Sequence, residues 1–559
     1  MILASQENIK EYTDKGWWGS KTLLDYFTQN AAKSPDREAL IDPLNKQDLA
    51  GLEPERLSYA TLEKKVNAAA SQLVKRGLKK DDIVMVQLPN CWELAMLYLA
   101  ITRAGGLISP VPLQWRKKEL SYIADLTQAR FFITLPDFKG FSHLSLAEQV
   151  KSGSSFMQDI FTLAEIREMS QAEPDPGALE KISVDANDIF TLCWTSGTEA
   201  EPKGCPLSHN NWINQSSAQA ESAGIYPGDI QLTAGPLVNM ASVGTTFIPW
   251  IILGGTFVLH HPFDPQIFIQ QMIKEKVNYT LLVPAVANMI VKHPQVDTFD
   301  LSAVRAITLG SAPPSLFTMQ EFKRRWNIDI GNIWGQNEGT AIVSGPKDVP
   351  EMEMRVDYLP QFGAKGAKWT SKVATEGIRT KLISPDTGLE VTEVGEVGEL
   401  AYKGPNIIPG YFRRPDMTER AFDSEGYFYT GDLFVLSENH FIRFFERKKD
   451  IIVRGGFNIS AQEVENAILA HPKVIDAAVV GRPDEILGEK TCVFVVPARG
   501  ETVELRDIIG FLEEQGMAKY KFPEFIEIVD SLPRTPVGKL LKKDLRQALK
   551  EKNGQIVPE

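Results

Sequence analysis

The chain has 559 residues, enough at roughly 150 residues per structural unit for about three or four lobes and a large buried core. Apolar residues at 43% and charged residues at 24% are ordinary globular values, and 41 Gly with 34 Pro are too few for a fibrous or disordered chain. The 60 Lys and Arg against 72 Asp and Glu leave a net charge of −12, which repels a phosphate backbone and argues against nucleic acid as a partner.

Glu7, Lys10 and Glu11 fall where a signal peptide needs its apolar stretch. Cys91, Cys193, Cys205 and Cys492 form no CxxC pair, and the histidines show no HExxH spacing. A cytoplasmic protein without a disulfide framework or a zinc site is expected. The charge-free run from Gln231 to Phe263 is long enough to cross a bilayer, but Pro236, Asn239, Pro249, Gly254 and Gly255 interrupt it. It reads as buried core, with no membrane span.

Between Ser58 and Gly77, Leu62, Val66, Ala69 and Leu73 recur at three- and four-residue spacing and predict an amphipathic helix that Gly77 stops. IVMVQL (83–88) predicts a strand ended by Pro89, and Trp92, Ala95, Met96, Leu99 and Arg103 mark a second helix. The alternation returns at IFTLCW (189–194), YTLLV (279–283) and VRAITL (304–309), so the fold class is α/β. Ligands of such sheets sit beyond the carboxyl ends of the strands, which directs attention to the loops that follow them.

Texture changes near residue 447, where Arg447, Lys448, Lys449 and Asp450 form a charge run. A domain boundary is placed there, giving a large domain over 1–448 and a small α+β domain over 449–559. VIDAAVV (474–480) and TCVFVV (491–496) are strands of the small domain. Ser460 with Glu463 predicts a capping box at its first helix, and Ile459 with Val464 a hydrophobic staple.

The strand at 189–194 runs into Thr195, Ser196, Gly197, Thr198, Glu199, Ala200, Glu201, Pro202, Lys203 and Gly204. Hydroxyls, glycines and a lysine so close together can wrap a polyphosphate, although GxxxxGK[ST] is absent; the same residues also suit a polar surface turn. Three further segments stand out. NIW leads into Gly335, Gln336, Asn337, Glu338 and Gly339; YFYTGDL presents Asp432; and PRTPVGKLLKKDL presents Lys539. Each is weak alone.

In order and spacing these segments, together with GLISPVPLQWRKKEL (106–120) and ERKKDIIVRGGFNISAQEVE, resemble the adenylate-forming superfamily. That superfamily holds acyl- and aryl-CoA synthetases, adenylation domains of peptide synthetases, and luciferases. The likeness spans nearly the whole chain and implies a large N-terminal domain of sheets packed with helices, followed by a small mobile C-terminal one. It further implies ATP, Mg²⁺ and CoA as the small molecules handled.

By that resemblance, Thr195, Ser196, Gly197, Thr198 and Lys203 hold the β- and γ-phosphates, and Glu338 holds the magnesium. Gly310, Ser311, Ala312 and Pro313 line the adenine and acyl pocket, with Trp334, Gly335 and Asn337 beside them. Asp432 takes the ribose hydroxyls, assisted by Arg447. Lys539 bridges the substrate carboxylate and the α-phosphate, where loss of such a cation costs on the order of 10² to 10³ in rate. Lys449 is the hinge, after whose rotation Arg454, Gly455 and Gly456 border a tunnel for the pantetheine arm of CoA.

The chain departs from the family pattern at Glu199 and Glu201, two acids near a phosphate site, at Trp334 and Asn337, and at Glu446, where Gly is common. Asn239 stands where many relatives carry His. With Met240, Val243, Gly310 and Trp334 it defines an acyl pocket expected to take a medium-chain, alicyclic or aromatic acid. The implied activity is a carboxylic acid:CoA ligase that releases AMP and pyrophosphate. The alternative is a stand-alone adenylating enzyme that loads a carrier protein.

Overall fold

Six strands in the order 203–208, 189–195, 107–110, 83–87, 131–134 and 159–162 form one sheet, parallel except for the hairpin between Ile189–Thr195 and Lys203–Ser208. These short runs are buried along their length, as strands covered on both faces must be. The computed structural model describes residues 1–195, 201–455, 457–484, 486–534 and 540–554.

A second sheet of eight strands runs 341–344, 329–335, 306–310, 279–282, 230–233, 256–259, 38–41 and 56–58. Its interior is parallel, and only the two outermost pairs are antiparallel. Leu232, Ile307 and Leu309 on one face pack with Phe268, Met319 and Phe322 from the helices outside it. The predicted early helix is Tyr59–Lys75, capped by Ser58, with Leu62, Val66, Ala69 and Leu73 fully buried. The second predicted helix is Trp92–Arg103.

The run 231–263 folds as the strand Ile230–Thr233, a helical stretch from Met240 to Leu253 and the strand Thr256–Leu259. Among the described residues no helix is long and apolar enough to cross a membrane. All four cysteines are buried.

These elements belong to one compact unit, Met1–Thr380 with Tyr402–Phe428; Lys381–Ala401 with Tyr429–Glu559 form a second. In the second unit Val474–Asp484 and Gly488–Pro497 form a long antiparallel hairpin, with Phe525–Ile528 parallel to its second strand. Ile459 and Val464 are fully buried in the core under this sheet. Ser460 caps Ala461–Leu469 by accepting from Glu463 N at 3.1 Å. The reciprocal half of the expected capping box is replaced: Lys521 Nζ donates to the Glu463 carboxylate at 2.6 and 2.7 Å, an ion pair that sequence spacing does not reveal.

Candidate active site

Two hairpins and one connecting segment build a site in the first unit. Thr195 ends its strand directly across the ladder from Lys203, so the two ends of the hydroxyl- and glycine-rich loop are held in register. Thr195 Oγ1 is buried without a hydrogen-bond partner among the described residues. A buried hydroxyl at the mouth of such a loop suits an incoming phosphate oxygen, to which it can donate. Ser196, Gly197, Thr198 and Glu199 lie outside the described residues.

The second hairpin joins Asp329–Gly335 to Ala341–Ser344 through Gln336, Asn337, Glu338, Gly339 and Thr340. Gln336 N donates to Thr340 O at 3.0 Å, and Gly339 N to Gln336 O at 3.2 Å. Gly339 has φ +103°, and a Cβ there would come within 2.1 Å of Asn406 O. Only glycine lets the backbone approach so closely in that conformation.

The segment Asn406–Phe412 fastens both hairpins. Asn406 Nδ2 donates to Gly339 O at 2.8 Å, Ile408 N to Glu338 O at 3.0 Å, and Phe412 N to Gly204 O at 2.9 Å. Tyr411 OH donates to Glu338 Oε1 at 2.8 Å, while Lys203 Nζ lies 5.2 Å from the centre of the Tyr411 ring. One tyrosine thus orients the carboxylate and the lysine that the sequence singles out separately. Glu338 and Tyr411 are both buried, which strengthens electrostatics around them. Burial pushes the nearby Cys205 thiol up, with the Glu338 charge adding to the effect. Tyr411 and Asn406 escape the sequence reading; the Pro-Gly turn in NIIPGYF was the available signal.

Asn337 serves as a brace, its Oδ1 accepting from Met240 N at 2.9 Å and its Nδ2 donating to Trp194 O at 2.9 Å. It therefore ties the segment expected to line the acyl pocket, at Met240, to the strand that ends in Thr195. Trp334 and Gly335 close the strand before it, and a Cβ on Gly335 would meet Thr340 O at 2.7 Å. Glu201, a suspected threat to phosphate binding, is held by Arg414 at 2.9 Å, with Tyr122 OH accepting from the same guanidinium at 2.8 Å.

Asn239 caps the helical turn Met240–Ser242, its Oδ1 accepting from Ser242 N at 3.3 Å. Met240 and Val243 are buried, and a π-helical stretch, Val243–Phe247, follows, a form common at functional sites. Gly310 ends Ala306–Gly310, and a Cβ there would press on Ile333 at 3.0 Å. Ser311 adopts φ +75°, a left-handed conformation that costs a non-glycine residue energy. Ser311 and Ala312 are exposed and Pro313 half-buried.

In the second unit, Asp432 and Arg447 are register partners on adjacent strands, with Arg447 Nε 3.7 Å from Asp432 Oδ1. Asp432 N donates to Thr430 Oγ1 at 3.2 Å. Lys449 keeps an exposed side chain, yet surrounding protein bulk, and next the Arg447 charge, push it down to about 8. Arg546 Nη2 donates to Lys449 O at 3.4 Å and pairs with Asp450 at 2.7 Å. Arg454 Nε donates to Glu524 Oε1 at 2.5 Å, and Gly455 N to Leu487 O at 2.8 Å. Gly456 and Lys539 lie outside the described residues.

Residues 27–412 match the model of the AMP-binding enzyme family, and residues 463–539 that of the AMP-binding enzyme C-terminal domain. The chain is 31% identical to a medium-chain fatty-acid–CoA ligase of Escherichia coli, over 98% of this chain and 94% of that protein. It is 29% identical to a 2,3-dihydroxybenzoate-AMP ligase of Bacillus subtilis, over 98% of this chain and 97% of that protein. Its fold superposes on ATP-bound MatB from Rhodopseudomonas palustris with a TM-score of 0.80 at 24% identity, covering 95% of this chain and 100% of the other. The chain belongs to the AMP-binding enzyme family, the adenylate-forming superfamily that its motifs resemble.

Proposed function

We propose that the protein is an ATP-dependent carboxylic acid:CoA ligase, acting on a medium-chain, alicyclic or aromatic acid. The observation that carries this reading is the joint suspension of Lys203 and Glu338 on Tyr411, beside the unpartnered hydroxyl of Thr195. A cation and a hydroxyl for the phosphate oxygens, and a carboxylate for an accompanying Mg²⁺, are what a magnesium triphosphate requires of its host. The full-length likeness to ligases of a fatty acid and an aryl acid supports the substrate class.

A carboxylate and a triphosphate repel one another, so the protein must offset charge before the acid oxygen can attack the α-phosphorus. Lys203 and Thr195 neutralise and donate to phosphate oxygens, and Asn337 keeps the acyl segment in register with the strand that ends in Thr195. Lys539 is assigned to the bridge between acid and α-phosphate. Glu338 would hold Mg²⁺: a single oriented carboxylate suits an ion that draws its other ligands from phosphates and water, and when bound it offsets phosphate charge. Attack forms the acyl–phosphate bond and expels pyrophosphate. In the second half-reaction the CoA thiolate attacks the acyl carbon and AMP leaves.

In the same reading Asp432 and Arg447 serve the ribose. The segment 449–559 turns about Lys449 between half-reactions, and Arg454, Gly455 and Gly456 border the path of CoA. The protein acts in the cytoplasm.

The test incubates purified protein with MgATP and hexanoate, decanoate, cyclohexanecarboxylate, benzoate or dihydroxybenzoate, with and without CoA, following AMP and acyl-CoA by mass spectrometry. Acyl-CoA from one of these acids is expected. Pyrophosphate exchange without acyl-CoA would move the acceptor to a carrier protein, and silence with every acid would overturn the reading.

A further inference from the structure

Beside the segment assigned to the acid pocket lies a small cleft bordered by Gln215, Ala218, Gln219, Ala341, Val343 and Asn406 among others, whose centre has room for about one water-sized group. It shares Gln215 with the underside of the acyl segment: the ideal Cβ position of Gly244 is 2.8 Å from Gln215 Oε1 and 3.0 Å from Met240 Sδ. It shares Ala341 with the Glu338 hairpin, where Ala341 pairs with Gly335.

Three buried amides face this cleft, each anchored at one end and, among the described residues, unpartnered at the other. Asn406 Nδ2 donates to Gly339 O at 2.8 Å and Tyr402 OH at 2.9 Å, leaving Oδ1 without a partner. Because a carbonyl can only accept, that orientation is fixed. Gln219 Nε2 donates to Tyr279 OH at 3.1 Å, which in turn donates to Thr308 Oγ1 at 2.9 Å, leaving Gln219 Oε1 unpartnered. Gln215 Oε1 accepts from Ser216 Oγ at 3.1 Å, leaving Nε2 unpartnered. Gln215 is 3% exposed, Gln219 2% and Asn406 1%, so bulk water does not satisfy them.

We infer that this cleft is the far end of the acid pocket and takes a hydroxyl carried by the substrate remote from its carboxylate. The inference rests on the ligase reading and narrows its substrate class to a mostly hydrocarbon acid bearing one such hydroxyl. A hydroxyl both accepts and donates, so one group takes the Gln215 N–H and gives its proton to Gln219 or Asn406. The narrow centre admits an oxygen and excludes the body of a ring or chain. Sites built to hydrogen-bond a substrate hydroxyl discriminate strongly against the analogue that lacks it, because their own polar groups are then left bare.

The test compares kcat/KM for pyrophosphate release with paired acids, 4-hydroxybenzoate against benzoate, and ω-hydroxydecanoate against decanoate. Measurements use wild type, Gln219→Leu and Gln215→Met. In at least one pair wild type is expected to favour the hydroxy acid by roughly ten- to hundredfold. Both variants are expected to reduce that ratio to about one or below, while the parent acid keeps its rate within about twofold. That retained rate also shows that the variants fold. No preference in wild type, or a preference that both variants leave intact, would overturn the inference while the ligase reading stands. An equal fall for hydroxy and parent acids would also overturn it, the amides then acting only on structure. No release from any acid by wild type would remove the ligase reading and the inference together.

Discussion

Removing the Tyr411 hydroxyl tests whether one tyrosine orients the phosphate machinery. Tyr411→Phe keeps the ring beneath Lys203, 5.2 Å from its ammonium, and deletes the 2.8 Å bond to Glu338 Oε1. Hydrogen bonds to a charged group are worth about 1.5–3 kcal/mol, and both partners here are buried, so solvent does not replace the lost donor. If the bond acts by aiming the carboxylate, kcat/KM for MgATP in pyrophosphate exchange falls by roughly ten- to hundredfold. The Mg²⁺ concentration for half-maximal rate rises, and the KM for the acid stays within about twofold. Tyr411→Leu, which also removes the ring from beneath Lys203, falls further. An exchange rate and Mg²⁺ response within twofold of wild type in Tyr411→Phe would refute the argument.

Gly339→Ala forces a Cβ to within 2.1 Å of Asn406 O at φ +103°, so a loss on the order of 3 kcal/mol in unfolding free energy and near-complete loss of exchange are expected; an active, undiminished variant would contradict the close approach. Lys539→Ala is expected to abolish adenylate formation yet spare thioester formation from supplied acyl adenylate. Equal loss in both half-reactions would overturn the two-conformation account. Glu465 is pushed up to about 7, chiefly by burial and against the attraction of Lys542 at 2.9 Å. Its folded value lies above the ordinary carboxylate value, so the stability it confers is complete below about pH 4.5 and lost as pH rises through about 7. Urea unfolding followed in the C-terminal unit should show Glu465→Gln matching wild type near pH 4 and exceeding it at pH 8 by up to roughly 3 kcal/mol, with no difference at pH 8 as the contrary result.

Legibility in the sequence followed the range of the forces involved. Leu62, Val66, Ala69 and Leu73 announce their helix because burial of one face repeats every turn, and the short apolar runs announce parallel strands because both faces are covered. Thr195 and Lys203 were legible as residue types suited to phosphate, and Glu338, through the family resemblance, as a carboxylate for Mg²⁺. What binds them together was not: Tyr411 follows Glu338 by 73 positions, and no local pattern encodes that pairing. Asn337 was legible as a polar side chain near the nucleotide, but its two bonds turn it toward Met240 and Trp194. The threat from Glu201 was legible as charge, whereas its neutralising partner Arg414 lies 213 positions away.

Glu446 shows the same limit at the expected hinge. The sequence marks it only as an acid where the family often has Gly. In the fold it is 2% exposed and stands at the N-terminus of Ala461–Leu469, its Oε2 accepting from Gln462 N at 2.6 Å and from Ser460 Oγ at 3.3 Å. Its Oε1 accepts from Arg447 N at 2.9 Å. Unpaired N–H groups and the helix dipole favour a negative charge at this position, which compensates for its burial. Residues 446 and 462 lie on opposite sides of Lys449. A rotation there that left Glu446 behind would strip the helix of this carboxylate and bare a buried charge, a cost that glycine at 446 would not impose. In the proposed rotation about Lys449, resistance therefore comes from a carboxylate three residues before that residue as well as from Lys449 itself.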